Sequence, residues 1–498
     1  MPNNDYRLPD AGMLAKDESP SEEDRREVLR TRDILRQTLE SFDIQGEVIG
    51  HKVGPRVTRF EIALAPGVRV KKVKQIAANI AMNLRAPGVR VVPQIPERSV
   101  VGVEVGNFHP RAVFLRSVVE SEAWRNSTAQ LPLALGEDIA GAPVVIDLAK
   151  APHILISGAT GTGKSVCMNS LIAGLLLKFR PDELKFVLID LKIVEFEPYS
   201  KLPHLFAPVI SDAEKAAGAL HWIVGEIARR YEVLALAHAK TVAEFNRRPP
   251  DPEPVYDADG NEIPPQMPYL VVVIDELADL MMSDAKRDVE TNITRIAQKG
   301  RAAGIHIIVA TQRPSINIIT GVIKANLPTR FCFQVRSCVD SRVVLDAAGA
   351  EQLLGQGDML FMSPSGMNIE RVQGAYIADE DLRRLVETVS RQAEPEFSPG
   401  LMKAMSEYFP EEGNPLPSQA DFLVVASKFI REEDDDLIRQ AVTLIILERK
   451  ASVSYLQRRL KIGYNRAAEI LAALEKRELV SPLRAGGKRE ILANFSQK

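Results

Sequence analysis

Three cysteines in 498 residues, Cys167, Cys332 and Cys338, are too few for a disulfide framework and show no metal-site spacing. That usage fits a reducing compartment. No run of about 18 apolar residues occurs, so nothing reads as a membrane-spanning helix. The opening stretch, MPNNDYRLPDAGMLAKDESPSEED, is polar and acidic and lacks the apolar core of a secretory leader. There is no internal repeat, which excludes a solenoid. These absences together predict a cytoplasmic protein.

What is present is the composition of a soluble globular chain, 45% apolar and 26% charged, long enough for two to four domains. The net charge of −3 conceals an asymmetry. Residues 437–498 hold 13 Lys and Arg against 5 Asp and Glu, leaving an acidic remainder. A basic tail on an acidic body is the footprint of a polyanion-binding module.

Composition and periodicity divide the chain. Residues 1–24 read as disordered. Residues 25–118 read as a small α+β unit: an acid-led helix, the alternating strand VTRFEIAL, a helix with Val73, Ile76, Ala77, Ile80 and Leu84 on one face, and the strands VRVVPQI and VGVEV. Residues 119–391 alternate short apolar runs (HILIS, FVLID, LVVVID, IHIIVAT, RFCFQV, DMLFM) with helical patterns, which predicts an α/β domain with a parallel sheet covered on both faces. The Pro-rich acidic stretch at 247–268 reads as a surface loop. Residues 392–436 read as a linker with one weak helix, and 437–498 as a compact last unit.

The strongest chemical signal follows HILIS. Gly158, Ala159, Thr160, Gly161, Thr162, Gly163, Lys164 and Ser165 fit G-x-x-x-x-G-K-[ST], and a helical run begins at Val166. Glycines let backbone N–H groups turn inward around phosphates, and the helix N-terminus adds a favourable dipole. Lys164 is expected to neutralise β- and γ-phosphate charge, and Ser165 to ligate Mg²⁺. ATP and Mg²⁺ are thus the expected cofactors, held by residues 158–166. A distal carboxylate pair follows YLVVVI: Asp275 for the metal, Glu276 to polarise the attacking water. Asp190, which ends FVLID, is the competing choice; no second acid follows it directly, and strand-end Asp often serves as a turn residue. Gln312, after IHIIVAT, is placed to sense the γ-phosphate. An arginine supplied by a neighbouring subunit is common in such ATPases; Arg301 is the first candidate, with Arg330 and Arg336 as alternatives.

The last unit reads as three helices, the third being NRAAEILAALEKREL, followed by two strands around a Gly-Gly turn. That is a helix-turn-helix plan with a wing, whose recognition helix presents its first residues to base edges. Those residues are Asn465 and Arg466, of the types that read adenine and guanine. Arg458, Arg459, Lys461, Lys488 and Arg489 are the expected phosphate contacts. A protein-binding winged helix is the bland alternative, and the basic balance favours nucleic acid.

Taken together, GATGTGKS, VIDELADLMM, RAAGIHIIVATQRPSINIITGVIKANLPTR and DSRVVLDAAGAEQLLGQGDMLF resemble the motor of the FtsK/SpoIIIE DNA translocases. The resemblance extends forward through PRVTRFEIALAPGVRV and back through RKASVSYLQRRLKIGYNRAAEILAALE. It implies a RecA-like P-loop ATPase core, a front domain that completes the ring, a homo-hexamer around double-stranded DNA, and a winged-helix tail that orients loading during chromosome segregation and cell division. It implies pore contacts at Arg313, Lys324 and Arg342, and a site-specific recombinase as a further partner. Members with a membrane anchor carry an N-terminal bundle and long linker; the chain is therefore expected to be a soluble member or a truncated motor belonging at the division site. Asp190-Leu191-Lys192 stands where the family has Asp-Pro-Lys, and Glu469 where members often have Arg. Rival readings are a motor of the same class moving single strands or protein, and a DNA-binding regulator using ATP as a switch. The tail argues against the first and Glu276 against the second.

Overall fold

A computed structural model describes residues 6–16; 22–407 apart from 87, 94, 96–97, 250–255, 257–261 and 367; and, further on, 429, 431, 434–435, 437–439, 441–442, 445, 453–460, 462–477 and 479–481. The chain folds as two units, 1–408 and 409–498.

The first unit opens with a strap. Tyr6 and Leu14 are buried in the core of the large sheet domain. The Arg7 N–H donates to Gln392 Oε1 (2.8 Å), Ala15 N–H donates to Asp381 Oδ2 (2.8 Å), and Arg116 donates to the carbonyls of Gly12 and Leu14 (3.0 Å each). The expectation of disorder over 1–24 is therefore corrected for 6–16, and also for 22–24, which begin a helix. Two apolar residues in a polar stretch give no periodic signal, and their partners lie about 100 positions away or more.

The front domain is a helix, Glu22–Ser41, on a four-stranded antiparallel sheet. Its strands are β1 (Gly46–Val53), β2 (Val57–Leu64), β3 (Val89–Val92) and β4 (Val101–Gly106), in spatial order β1-β2-β4-β3. Alternation places Phe60 and Ile62 of β2 and Val101, Val103 and Val105 of β4 against Leu35 and Leu39 of the helix. The helix expected across 73–84 is two, Val70–Gln75 and Ala77–Leu84, broken at Ile76. Strand β1 went unpredicted because it is an edge strand with no buried residue.

The large domain holds a nine-stranded sheet. Its strands are β5 (Pro132–Asp138), β6 (Pro143–Asp147), β7 (His153–Ser157), β8 (Leu184–Ile189), β9 (Tyr269–Ile274), β10 (Ile305–Thr311), β11 (Thr329–Phe333), β12 (Asp358–Met362) and β13 (Ile369–Gly374). They lie in the order β6-β5-β13-β12-β11-β7-β10-β9-β8. From β11 to β8 the pairing is parallel. From β11 outward to β6 it is antiparallel, so DMLFM, expected among the parallel strands, runs the other way. Both faces are covered: Ile154 and Ile156 of β7 join one core and Leu155 the other. Two-sided burial is why these strands read as continuous apolar runs.

Val113, Leu115 and Val118 already belong to this larger core, so the front domain ends before Val113 rather than at 118. The expected linker contains a helix, Pro399–Glu407, whose Leu401 is buried and whose Gly400 lies against Trp222.

In the second unit, helices Val453–Leu460 and Tyr464–Lys476 pack around Leu456, Ala467, Ile470, Leu471 and Leu474, with Ala441, Val442 and Ile445. The wing expected beyond Ser481 lies outside the described residues.

Candidate nucleotide site and nucleic-acid interface

The parallel strands deliver their C-terminal ends to one edge of the sheet, and the predicted nucleotide residues gather there. Strand β7 ends at Ser157, and helix Lys164–Leu176 starts after the loop. Two of the loop's glycines are sterically required. A Cβ at Gly158 would come within 2.6 Å of Phe333 Cβ. Gly163 has φ +113°, and a Cβ there would lie 2.5 Å from the Gly357 nitrogen. The loop is braced by Ala159 N–H donating to the Gln334 carbonyl (2.9 Å) and by Gly357 N–H donating to the Thr162 carbonyl (2.8 Å).

Lys164 is buried, and its Nζ donates to Asp275 Oδ1 (2.9 Å) and to the Asp275 carbonyl (2.7 Å). Burial raises the Asp275 carboxyl above the usual range; Lys164 opposes that rise, and the neighbouring Glu195 and Asp190 add to it. Ser165 Oγ donates to Glu195 Oε1 (2.6 Å). A hydroxyl bonded to a carboxylate is an all-oxygen pair of the kind that suits a hard cation such as Mg²⁺.

Glu195 was missed from sequence. Its signal was faint, an acid five residues beyond a strand-ending Asp. That Asp is structural. The Asp190 carboxylate accepts the backbone N–H groups of Lys192, Ile193, Val194, Glu195 and Phe196 at 2.9–3.1 Å. It caps the turn that delivers Glu195.

Glu276 is tied to β10. Its Oε1 accepts from Thr311 Oγ1 (2.6 Å) and Ala278 N–H (3.1 Å), and its Oε2 accepts from Gln312 N–H (2.9 Å). The Gln312 side chain accepts from Thr160 Oγ1 (2.9 Å), so one residue touches both the candidate base and the phosphate loop. A cleft beside them is lined by Thr160, Lys192, Glu276, Gln312, Arg313 and Arg336.

The arginine candidates separate. Arg301 precedes β10, at the edge opposite the phosphate loop, with Nε donating to the Ala149 carbonyl (3.2 Å). It therefore lies away from the phosphate loop of its own chain. Arg330 is buried and spent on the carbonyls of Lys324, Leu327 and Val344 and on Asp346. Arg336 is exposed and lines the cleft.

Of the expected DNA contacts, Arg313 follows Gln312 on the nucleotide edge, is exposed, and lies with its guanidinium against Met282 Sδ (3.3 Å). Arg342 is exposed beside Cys338 Sγ. Lys324 is paired with Asp346 (2.7 Å). In the second unit Asn465 and Arg466 sit in the first turn of helix Tyr464–Lys476, where the sequence put them. Asn465 is exposed, while Arg466 bonds Asp435 and Glu469 (the latter at 3.1 Å). Arg459 is exposed on helix Val453–Leu460. The side chain of Arg458, and Lys461, Lys488 and Arg489 entirely, fall outside the described residues.

Three family profiles match: the FtsK alpha domain at residues 8–107, the FtsK/SpoIIIE family at 114–316, and the FtsK gamma domain at 432–494. DNA translocase SftA of Bacillus subtilis strain 168 is 42% identical over 491 residues, covering 99% of this chain and 48% of its own. DNA translocase FtsK of Clostridium tetani is 40% identical over 492 residues (98% and 62%), and that of Haemophilus influenzae 40% over 482 (94% and 88%). The chain thus spans about half to three-fifths of the length of the first two. The profiles and these relatives agree along nearly the whole chain, and it belongs to the FtsK/SpoIIIE family.

Proposed function

We propose that the chain is an ATP-driven motor that moves double-stranded DNA in chromosome segregation and cell division, working as a homo-hexameric ring whose tail reads DNA to set direction. The observation that carries this reading is the convergence of Lys164, Ser165, Asp275, Glu276 and Gln312 on one edge of a parallel sheet, in a chain whose relatives are named DNA translocases.

In this reading, the loop N–H groups other than those of Gly158, Ala159 and Thr162, which bond carbonyls, face the phosphates. Lys164 leaves Asp275 for the phosphate oxygens. Ser165 and Asp275, with Glu195 alongside, would hold Mg²⁺, which supplies neutralisation of phosphate charge. Glu276 takes the proton of the attacking water. Gln312 has its backbone on Glu276 and its side chain on Thr160, so a change at the loop reaches the base directly. Arg301 acts on the site of the adjacent subunit. Arg313, Lys324 and Arg342 grip the DNA backbone without reading sequence, and Asn465 and Arg466 read base edges. A site-specific recombinase is a partner at the end of transport, and any membrane attachment comes through residues other than those described, among which no helix is long and apolar enough to cross.

The test is ATP turnover with and without linear duplex DNA, paired with displacement of a triplex-forming strand. Duplex-stimulated turnover with displacement is expected. Turnover indifferent to duplex, or stimulated without displacement, would sink the motor reading.

A further inference from the structure

The segment 355–357 has an unusual backbone. Gly355, Gln356 and Gly357 run consecutively at φ +72°, +50° and +90°. Glycine takes such angles freely, but Gln356 does so only where its surroundings hold it. Those surroundings join two parts of the first unit.

On one side is the phosphate loop. Gly357 N–H donates to the Thr162 carbonyl (2.8 Å), the Gly357 carbonyl accepts from Gly374 N–H (2.7 Å), and Gly163 is packed so closely on Gly357 that no side chain fits between them. On the other side is the front domain. Arg56, just before β2, donates from Nη1 to Gln356 Oε1 (2.8 Å). Gln373 Nε2 fixes the Gln356 carbonyl (2.8 Å). Next in sequence, Asp358 takes a two-point bond from Arg371 (2.9 and 2.6 Å), and Arg371 continues to Glu104 of β4 (2.7 Å), itself paired with Arg90 of β3 (3.0 Å). The front domain therefore holds this segment by a buried ionic chain and by a separate tether at Arg56. The groups that grip Gln356 are not fully satisfied: Arg56 Nε and Gln373 Oε1 are buried without a partner among the described residues. Burial also lowers the Arg56 pKa, unlike that of a solvated surface arginine. Gln356 itself is exposed, so its φ of +50° is held by the bonds from Arg56 and Gln373 rather than by burial of its own side chain.

We propose that Gln356, tethered by Arg56, is a positioning residue for nucleotide binding: it presses 355–357 against the phosphate loop, so that the seating of the front domain sets how tightly the loop holds ATP. The proposal rests on the nucleotide reading above. In a ring motor, this is a route by which a front domain displaced by its neighbours or by DNA loosens or tightens its own subunit's nucleotide.

The test uses the full chain and equilibrium binding of a fluorescent ATP analogue, with turnover alongside. Arg56→Ala and Gln356→Ala are each expected to weaken binding about fivefold or more. The double variant is expected to lose no more than either single one, because both remove the same tether. Gln356→Glu keeps an acceptor for Arg56 and is expected to restore binding. The KM for ATP should rise well beyond any fall in kcat, a split that general loosening of the fold does not produce. If Gln356→Ala does not fold, Arg56→Ala reads the same tether from the other side. Unchanged affinity in Arg56→Ala, or additive losses in the double variant, overturns the proposal while leaving the nucleotide reading intact. A wild-type chain that binds no analogue sinks the nucleotide reading itself.

Discussion

Lys164 and Asp275 form a buried ion pair, with the lysine Nζ 2.9 Å from the carboxylate and 2.7 Å from the same residue's carbonyl oxygen. Both are almost wholly out of solvent, so each is the other's replacement for water. Removing one partner of such a pair strands a buried charge, at about 3–5 kcal/mol. Lys164→Ala is therefore expected to abolish ATP turnover and also to lower thermal stability, and Lys164→Ala with Asp275→Asn to recover much of the stability without recovering turnover. Calorimetry beside a turnover assay checks this. A Lys164→Ala protein as stable as wild type would mean the pair contributes nothing to the folded state.

Glu276 is held by three donors, two of them from the end of β10 and the residue after it. Glu276→Gln keeps the shape and most of the hydrogen bonding but removes the base. Turnover should fall about 10²- to 10⁴-fold while ATP remains bound. Filter binding of radiolabelled ATP, followed by chromatography of the bound species, distinguishes trapped ATP from product. Ordinary hydrolysis by this variant would remove Glu276 from the role of base and direct attention to Glu195.

That the phosphate loop and both carboxylates share one sheet edge was legible because each sits at the end of an apolar strand, and parallel strands bring such ends to one edge. Glu195 was not legible, because its approach to Ser165 depends on how Asp190 caps a turn. Nor were β1, an edge strand without a buried residue, or the strap around Tyr6, whose partners are remote in sequence. Strand DMLFM was seen as a strand but given the wrong direction. Apolar content reports burial on both faces; it does not report which way a strand runs. Arg330 looked like a candidate finger on position alone, and only its four partners reveal it as a structural residue.

Three buried histidines give the large domain an acid limit. Burial lowers His204 and His306 to about 4 and His153 to about 3, against an ordinary value of 6.5. His153 and His306 also lie ring to ring, with centroids 6.2 Å apart. The unfolded chain binds protons at these sites below pH 6.5, whereas the folded chain does not until near pH 4. Their neutral burial therefore costs nothing above pH 6.5, and stability falls as pH drops from 6.5 toward 4. Each histidine contributes about 1.4 kcal/mol per pH unit within that window. Urea unfolding between about pH 7.5 and 5 should show a steep loss, and His204→Phe should make it shallower. A slope unchanged by that variant would place the acid sensitivity elsewhere.

The tail makes a prediction with an unusual sign. Arg466, the expected guanine reader, is occupied by Asp435 and Glu469 in the free chain. To reach a base it must leave both acids, so part of any gain from DNA is offset by breaking those bonds. Asp435→Asn removes one competitor without touching the recognition helix, and it removes a negative charge from the approach to phosphate. It is expected to tighten duplex binding severalfold, whereas Arg466→Ala weakens it and relaxes sequence preference. Combining them separates the mechanisms: if Asp435 acts by holding Arg466, Asp435→Asn should give far less gain once Arg466 is gone. Fluorescence anisotropy with duplexes of differing sequence, at fixed salt, measures all three. An equal gain in both backgrounds would mean that Asp435 repels the backbone generally and has no part in restraining the reader.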